Sequence, residues 1–581
     1  MRILLAAMMV MTAALVRVAS VTGQQPASVA ADMVLLNGKI VTLEDGQPQV
    51  EALAVGGNRI AAMGPSAAMK RHIGQKTTVI DLQGQLVIPG FVEGHGHFNG
   101  VGLARLNLNL MHAKTWDEIV GMVERAVKDA KPGQWIYGRG WHQEKWTMKP
   151  SPSVEGFPTH ESLSRVSPNN PVLLTHASGH ATFANAKAME VSDITPGTPN
   201  PAGGDFLKDA QGNPTGLFRE TASRLIRSGA GEPPRTREEE AARARRIFEL
   251  AAEEVLSKGV TSFQDAGSGF ADVDLMKQLI DEGRINVRLW IMLRVSNEAL
   301  AANLAKYRTV DYADGFLTVR AIKRSIDGAL GSRGAWLLEP YSDKPGDTGR
   351  NTTPVAEIRE TATLAMQHGY QLCVHAIGDR ANRETLNIFE EAFRAHPDKK
   401  DVRWRVEHAQ HLHPDDIPRF GRLGVIASMQ GVHCTSDAPY VPARLGPTRA
   451  GEGAYVWQKL MKSGAVVTNG TDAPVEDVSP IASYYATVSR KTADGSVFYP
   501  DQRMSRLEAL KSYTINGAYA AFEEGSRGSL KVGKYADMVV LSKDILSIPA
   551  DQIPSAEVRY TIVGGKIRYQ KPAASASRAR P

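Results

Sequence analysis

The chain has 581 residues, of which 42% are hydrophobic and 22% are charged, a composition typical of a globular protein with a large core rather than a disordered or fibrous chain. Its 68 basic and 62 acidic side chains nearly balance and give a formal net charge of +6. Because no long run of lysine and arginine occurs, the sequence argues against a nucleic-acid-binding protein.

The first 24 residues differ from the rest of the chain. An early Arg2 precedes an apolar stretch from Ile3 to Val16, and small residues follow around Ala19 and Ser20. This order is typical of a secretory signal peptide, although an uncleaved anchor stays an alternative. We therefore expect export to a periplasm or to the outside, with no stable membrane insertion after cleavage.

Short strand-like runs fill residues 33–90, and they are separated by turn-forming pairs such as Asn-Gly. The same texture returns near the other end of the chain, for example in "GSLKVGKYADMVVLSKD". We expect residues 33–90 and 500–570 to form one composite β-sandwich domain. Residues 571–581 are expected to form a flexible tail.

The middle of the chain, residues 91–499, alternates helical and strand patterns. Thr236 and Glu239 form a capping-box signature before a helix that ends by Gly259, and a strand pattern follows. About eight such units favour an α/β fold of the (β/α)8 TIM-type barrel class, with insertions at about residues 100–230 over its mouth. An open doubly wound sheet is the alternative, but no Gly-x-Gly-x-x-Gly fingerprint supports it.

Metal-capable side chains follow several of these strands. His95 and His97 lie in "GFVEGHGHFNG", after the apolar run "GQLVIPG", and residues two apart on a strand point to the same side. His375, His408 and Asp472 follow later strands, and barrel enzymes build their sites at these carboxyl ends. Clustered imidazoles and a carboxylate indicate a divalent metal ion, with Zn²⁺, Mn²⁺ and Fe²⁺ all suited to such ligands.

The stretches "HAIGDRAN", "RVEHAQ", "NGTDAPVE" and "KYADMVVL" carry a family resemblance. Together with the His-x-His pair, they resemble the amidohydrolase superfamily, and most closely its amidohydrolase-3 branch, which contains N-substituted formamide deformylases. The resemblance extends from about residue 33 to 570. It implies a metal-bearing barrel beside a small β-sandwich built from both termini.

The resemblance also implies a set of ligands. In binuclear relatives a lysine on the fourth strand is carboxylated and bridges two ions, and the matching residue is Lys323 in "LTVRAIKRSIDGALGS". One ion is then expected on His95, His97 and Asp472, and a second on His375 and His408. An ordinary Lys323 paired with Asp327 is the alternative, and it would leave one ion or a different bridge.

Three further residues are candidates for substrate binding. His180 lies in a stretch that resembles a substrate-facing loop of this branch, His433 follows the seventh strand, and Asp327 follows Lys323 by four residues. Each is expected to contact a polar group of the substrate.

Together these expectations predict an exported amidohydrolase that cleaves a non-peptide C–N bond of a small molecule. A metal-activated hydroxide is expected to attack, with Asp472 as general acid and base. Two alternatives remain: a deaminase of a cyclic amidine with one metal ion, and a secreted barrel that binds a metal or ligand without turnover. The sequence does not identify the substrate, and a homo-oligomer is compatible with it.

Overall fold

The structure is a computed structural model that describes residues 30–232 and 234–572. The predicted signal peptide at residues 1–24 and residues 573–581 of the predicted tail therefore lie outside the described residues. Within the described ranges, no helix combines the length and the apolar character that a bilayer span requires.

Eight parallel strands form the central barrel and confirm the predicted fold class. Each strand pairs with the next one along the chain. Strands 1 and 8 meet through backbone hydrogen bonds, in which Asp472 N–H donates to His95 (2.8 Å) and His97 N–H donates to Ala473 (2.7 Å). Barrel strands 1 to 8 are Phe91–Gly96, Val260–Ser268, Arg288–Leu293, Leu317–Ser325, Gln371–Ala376, Arg405–His408, Ile426–Gln430 and Val467–Gly470.

Helices surround the barrel because their apolar faces pack on its strands in one large core. The helix Arg237–Ser257 begins with the predicted capping box, in which Thr236 and Glu239 satisfy each other's backbone N–H groups. The other helices that follow barrel strands are Phe98–Leu106, Phe270–Asp281, Asn297–Tyr307, Val355–His368, Asp379–Ala395, Ile417–Leu423, Gly431–Asp437, Val441–Leu445, Pro447–Gly453, Trp457–Lys462 and Pro480–Ser489.

Two sheets form the β-sandwich, and both ends of the chain contribute, as predicted. One sheet contains Met33–Leu36, Ala52–Gly56, Arg59–Gly64 and Thr78–Asp81. The second sheet contains Lys39–Val41, Gln49–Val50, Leu86–Pro89, Met538–Leu541, Val558–Val563 and Lys566–Gln570. The run "LVIP" thus belongs to the sandwich, and the strand that carries His95 is the following Phe91–Gly96, contrary to the expectation that "GQLVIPG" carries the histidine pair.

The carboxyl-terminal contribution to the sandwich begins at Met538 rather than near residue 500. Residues 506–520 instead form two short helices, Arg506–Ser512 and Ile515–Ala520, which lie against the barrel. Tyr513 accepts a hydrogen bond from Val92 N–H of barrel strand 1 (2.7 Å).

The segment after barrel strand 1 carries its own sheet, which we call the inserted sheet. It contains Leu108–Asn109, Ile136–Trp141, Val172–His176, Ala181–Ala184, Gly204–Lys208 and Pro214–Glu220. Its helices are Trp116–Asp129, Glu161–Val166 and Ala186–Val191, and they bury two apolar clusters of their own. The insertion expected at about residues 100–230 is therefore a single mixed sheet with its own helices.

Candidate metal centre

Three of the predicted ligands meet where barrel strands 1 and 8 end. His95 lies inside strand 1, His97 follows it, and Asp472 follows strand 8. Asp472 Oδ1 lies 3.2 Å from His97 Nε2 and 3.5 Å from His95 Nε2. One potential ligand atom of each residue lies within 4.8 Å of the others, a spacing that suits a shared cation.

Close contact between the strands sets this spacing. A Cβ atom on Gly94 would lie 2.5 Å from the backbone oxygen of Asn469 in strand 8. Glycine at this position therefore lets strand 1 approach strand 8, which brings His95 to Asp472.

Glu407 orients His95 from inside the barrel. His95 Nδ1–H donates to Glu407, which also accepts from Arg405 at 2.7 Å. Burial lowers the pKa of His95 to about 4, so the ring is neutral near pH 7. Since Nδ1 carries the proton, the lone pair of His95 Nε2 faces Asp472 and Lys323.

His375 and His408 provide a second pair of imidazoles from strands 5 and 6. Their ring centroids are 4.5 Å apart, and His408 lies 4.6 Å from His95. His408 Nδ1 donates to Gln430 Oε1 (2.8 Å), which leaves its Nε2 as a ligand atom. Burial holds the pKa values of both histidines well below their usual range, so both rings are neutral ligands.

Lys323 lies in strand 4, as the resemblance implied. Its side chain is buried, with Nζ 3.2 Å from His95 Nε2. Burial lowers the pKa of Lys323 to about 8, which brings its unprotonated amine within reach of neutral pH.

The three predicted substrate-binding residues occupy different positions. His433 is buried, its Nδ1 accepts from Gln410 Nε2 (3.2 Å), and it forms a second possible ligand group with His408 and Asp472. Its Nε2 has no hydrogen-bond partner among the described residues. With Nδ1 accepting, Nε2 carries the ring proton and can donate to a substrate, and metal binding would require the other tautomer.

His180 reaches the site from the inserted sheet. Its ring centroid lies 5.1 Å from that of His375, and its Nδ1 donates to Glu220 Oε2 (2.7 Å). Burial opposes protonation of His180, but the Glu220 carboxylate outweighs it and raises the pKa of His180.

Asp327 is fully buried behind His375, whose Nε2 lies 3.4 Å from Asp327 Oδ1. Its carboxylate accepts backbone hydrogen bonds from Trp336, Ile377 and Gly378 at 2.8–3.0 Å. Burial nevertheless raises the pKa of Asp327 to about 7. These three hydrogen bonds fix the turn after strand 5, and together they occupy both carboxylate oxygens of Asp327.

These residues surround a cavity of about 440 Å³ at the carboxyl ends of the strands. His97, His180, Lys323, Asp327, His375, His408 and Asp472 all line it, together with Glu220, Arg139, Arg224 and Arg294. Enzymes with this fold place their chemistry at the same end of the barrel.

The donor set fits a divalent cation. The Nε2 atom of His375 and the Oδ1 atom of Asp472 are buried without a hydrogen-bond partner among the described residues, which is costly unless a cation binds beside them. His408 and Asp472 also adopt left-handed backbone conformations, with φ of 78° and 55°. Such strain is typical of residues that a functional site holds in place.

The sequence patterns did not identify the residues that orient the ligands. Glu407 directly precedes His408, Gln430 ends strand 7, and Glu220 ends the last strand of the inserted sheet. The pattern "RWRVEH" did contain a signal, because Arg405 and Glu407 are two residues apart on one strand and therefore project to the same side.

Comparisons with known proteins agree with the fold. The model of the amidohydrolase family matches residues 78–569. Protein LONG AFTER FAR-RED 3 of Arabidopsis thaliana is 32% identical over 557 residues, which cover 94% of this chain and 92% of the plant protein. N-substituted formamide deformylase of Arthrobacter pascens is 26% identical, with coverage of 93% and 98%. The solved structure of an uncharacterized metal-dependent hydrolase from Pyrococcus horikoshii is 26% identical, with a TM-score of 0.70 and coverage of 89% and 99%.

Proposed function

Because this chain belongs to the amidohydrolase family, we propose that it is a metal-dependent hydrolase that cleaves a non-peptide, amide-type C–N bond of a small molecule. The observation that carries the proposal is the clustering of the candidate ligands at the carboxyl ends of the barrel strands, where all but the fully buried His95 line one cavity: His95, His97, Lys323, His375, His408 and Asp472. Similarity to a formamide deformylase makes N-substituted formamides the first compounds to test.

His95, His97 and Asp472 would hold one ion, and His375 and His408 a second, with a carboxylated Lys323 between them. When bound, divalent ions of this kind acidify water and polarise a carbonyl. Lys323 supports this assignment because burial favours its neutral amine, the form that reacts with CO₂. Zn²⁺ is our first choice among the ions that imidazole and carboxylate ligands accept.

Asp472 is placed to move the proton. Its Oδ1 lies between His95 and His97 at the wall of the cavity, and neighbouring imidazoles offset its burial and hold its pKa well below the usual value. An ionised carboxylate at this point accepts the proton of the attacking water and then passes it to the leaving nitrogen.

Export is part of the proposal, and it is supported by the signal-peptide-like composition of residues 1–24. A secreted barrel that only binds a ligand is less well supported, because such a protein needs no buried carboxylate beside the histidines.

The test is elemental analysis of the protein that begins after residue 24, combined with a screen of N-formyl and other N-acyl compounds with and without chelator. We expect bound metal and chelator-sensitive release of an amine. An Asp472→Asn variant should keep its metal and lose at least about 1,000-fold in kcat. Metal-bearing protein that releases ammonia from a cyclic amidine, and cleaves no amide, would support the deaminase instead.

A substitution of Lys323 distinguishes a site with one metal ion from a site with two. A Lys323→Met variant should lose about half of the bound metal and most of its activity if the carbamate bridges two ions. An unchanged metal content and rate would exclude that bridge. Arg227→Gln, on the surface of the molecule, is the control for both variants.

A further inference from the structure

Two arginines face the cavity without an acidic partner. Arg294 directly follows barrel strand 3, and Arg224 lies in the 3-10 helix Thr221–Leu225 after the inserted sheet. Neither forms an ion pair with any carboxylate in residues 30–232 and 234–572. Both residues are exposed to solvent where they line the cavity, so each guanidinium stays charged and open to a ligand.

Their hydrogen bonds leave most of their donors free. Arg294 Nη2 donates to Ser325 Oγ at 3.3 Å, and Arg224 makes no hydrogen bond with a described residue. Loss of hydration, and then the charge of Arg224, lower the pKa of Arg294, and the more distant carboxylates of Asp472 and Asp265 act in the opposite direction without pairing with it. The two guanidinium groups are therefore available for an anion.

The carboxylates that line the cavity have other hydrogen-bond or ion-pair partners. Glu220 bonds to His180, Asp327 accepts three backbone N–H groups, and Asp472 faces the histidines. A third arginine, Arg139, lines the same cavity, and within the described part of the chain it donates to two backbone oxygens at 3.3 Å. One side of the cavity is therefore cationic, and both the barrel and the inserted segment contribute its arginines.

We propose that Arg224 and Arg294 form an anion-binding subsite, so that the substrate is an amide with a carboxylate on one of its two halves. This inference rests on the proposed function. A planar carboxylate matches the paired N–H groups of a guanidinium. A single negative charge also fits better than a double one, because Glu220, Asp327 and Asp472 share the same cavity and repel a dianion.

The test compares two compounds that differ only in the carboxylate, N-formyl-DL-phenylalanine and N-formyl-2-phenylethylamine. The wild-type protein should hydrolyse the first with a kcat/KM at least about 10-fold higher, and added NaCl should reduce that preference. Arg294→Gln and Arg224→Gln should each lower kcat/KM for the carboxylate about 10- to 100-fold and change it less than about 3-fold for the neutral compound. Arg227→Gln, three residues after Arg224 and paired with Asp193 at the surface, should change neither.

Binding provides a second measurement that does not need turnover. Calorimetry should show tighter binding of N-formylphenylalanine than of the neutral formamide, and Arg224→Gln should abolish the difference even if Arg294→Gln fails to fold. If the protein hydrolyses neither compound but still binds N-formylphenylalanine more tightly than the neutral formamide, the result counts against the proposed reaction and supports the subsite. Equal binding of the two compounds, no binding of either, or equal effects of the arginine variants on both would overturn the subsite.

Discussion

Glu407 links the metal-facing His95 to the buried guanidinium of Arg405. In a Glu407→Gln variant we expect metal affinity to fall about 10- to 100-fold, because His95 loses the charged acceptor that fixes its ring. Arg405 also loses the one carboxylate that pairs with it among the described residues, at a cost of about 3–5 kcal/mol of stability. Competition with a fluorescent chelator measures the affinity, and urea denaturation measures the stability. Glu124→Gln, on an exposed helix face, is the control. A folded variant with unchanged affinity would show that Glu407 serves Arg405 alone.

Asp327 predicts a pH dependence of stability. Burial raises its pKa from 3.8 to about 7, so in the unfolded chain its carboxyl group ionises at lower pH than in the folded protein. The stability of the metal-depleted protein should therefore fall as pH rises from about 4 to about 7, by up to about 4 kcal/mol. Urea denaturation across this range should show the decrease, and Asp327→Asn should lack it. Asp398→Asn, at an exposed position, should behave as the wild type. Parallel pH profiles for the wild type and Asp327→Asn would contradict the assignment.

At the scale of single residues, the sequence was a better guide to the side chains that cluster at the site than to the side chains that orient them. His375, His408 and Asp472 could be found because each comes at the end of an apolar strand. Glu407 and His95 are separated by 312 positions, and their contact depends on how strands 1 and 6 face each other inside the barrel. No local pattern contains that information.

At the scale of elements, the alternation of helices and strands was sufficient to predict the barrel, and it failed where two strands follow each other. Leu86–Pro89 and Phe91–Gly96 are separated by Gly90 alone, yet they belong to different sheets. Both are short, apolar and fully buried, so their periodicity could not show which one enters the barrel. An insertion was expected at about residues 100–230 but its sheet was not predicted, because the strands are short and follow no repeated βα order.

Helix packing beside the site gives a prediction at the same scale. A Cβ atom on Gly102 of helix Phe98–Leu106 would lie 1.9 Å from the backbone oxygen of Ile247 in helix Arg237–Ser257. Gly102→Ala should therefore push the helices apart, cost about 1–3 kcal/mol, and weaken metal binding because His97 directly precedes the first helix. Gly121→Ala is the matched control, since its nearest neighbour is a side-chain atom at 3.6 Å, and it should stabilise by about 0.5–1 kcal/mol. Thermal unfolding and chelator competition measure both effects. Similar melting temperatures for the two variants would refute this account of the packing.

At the scale of the whole molecule, the second sandwich sheet belongs to two cores. Val87, Val540 and Ile562 face the first sheet of the sandwich. Ile88, Val539, Leu541 and Val563 face the other way and join the large core around the barrel. Alternating side chains of a single sheet therefore connect the sandwich to the barrel. The sandwich is thus part of the support of barrel strand 1, which begins one residue after Leu86–Pro89.

This arrangement predicts that the last strands are required for a folded barrel. A chain that ends at residue 537 lacks Met538–Leu541, the antiparallel partner of Leu86–Pro89, and two further strands of the same sheet. Apolar side chains on both faces of that sheet would be exposed, so we expect aggregation instead of a soluble protein that binds metal. A chain that ends at residue 572 keeps every described strand and should match the full chain in soluble yield and melting temperature. A soluble protein that ends at residue 537 and keeps its melting temperature and metal content would contradict this prediction. It would show that barrel contacts alone hold strand 1, and that the barrel folds without the sandwich.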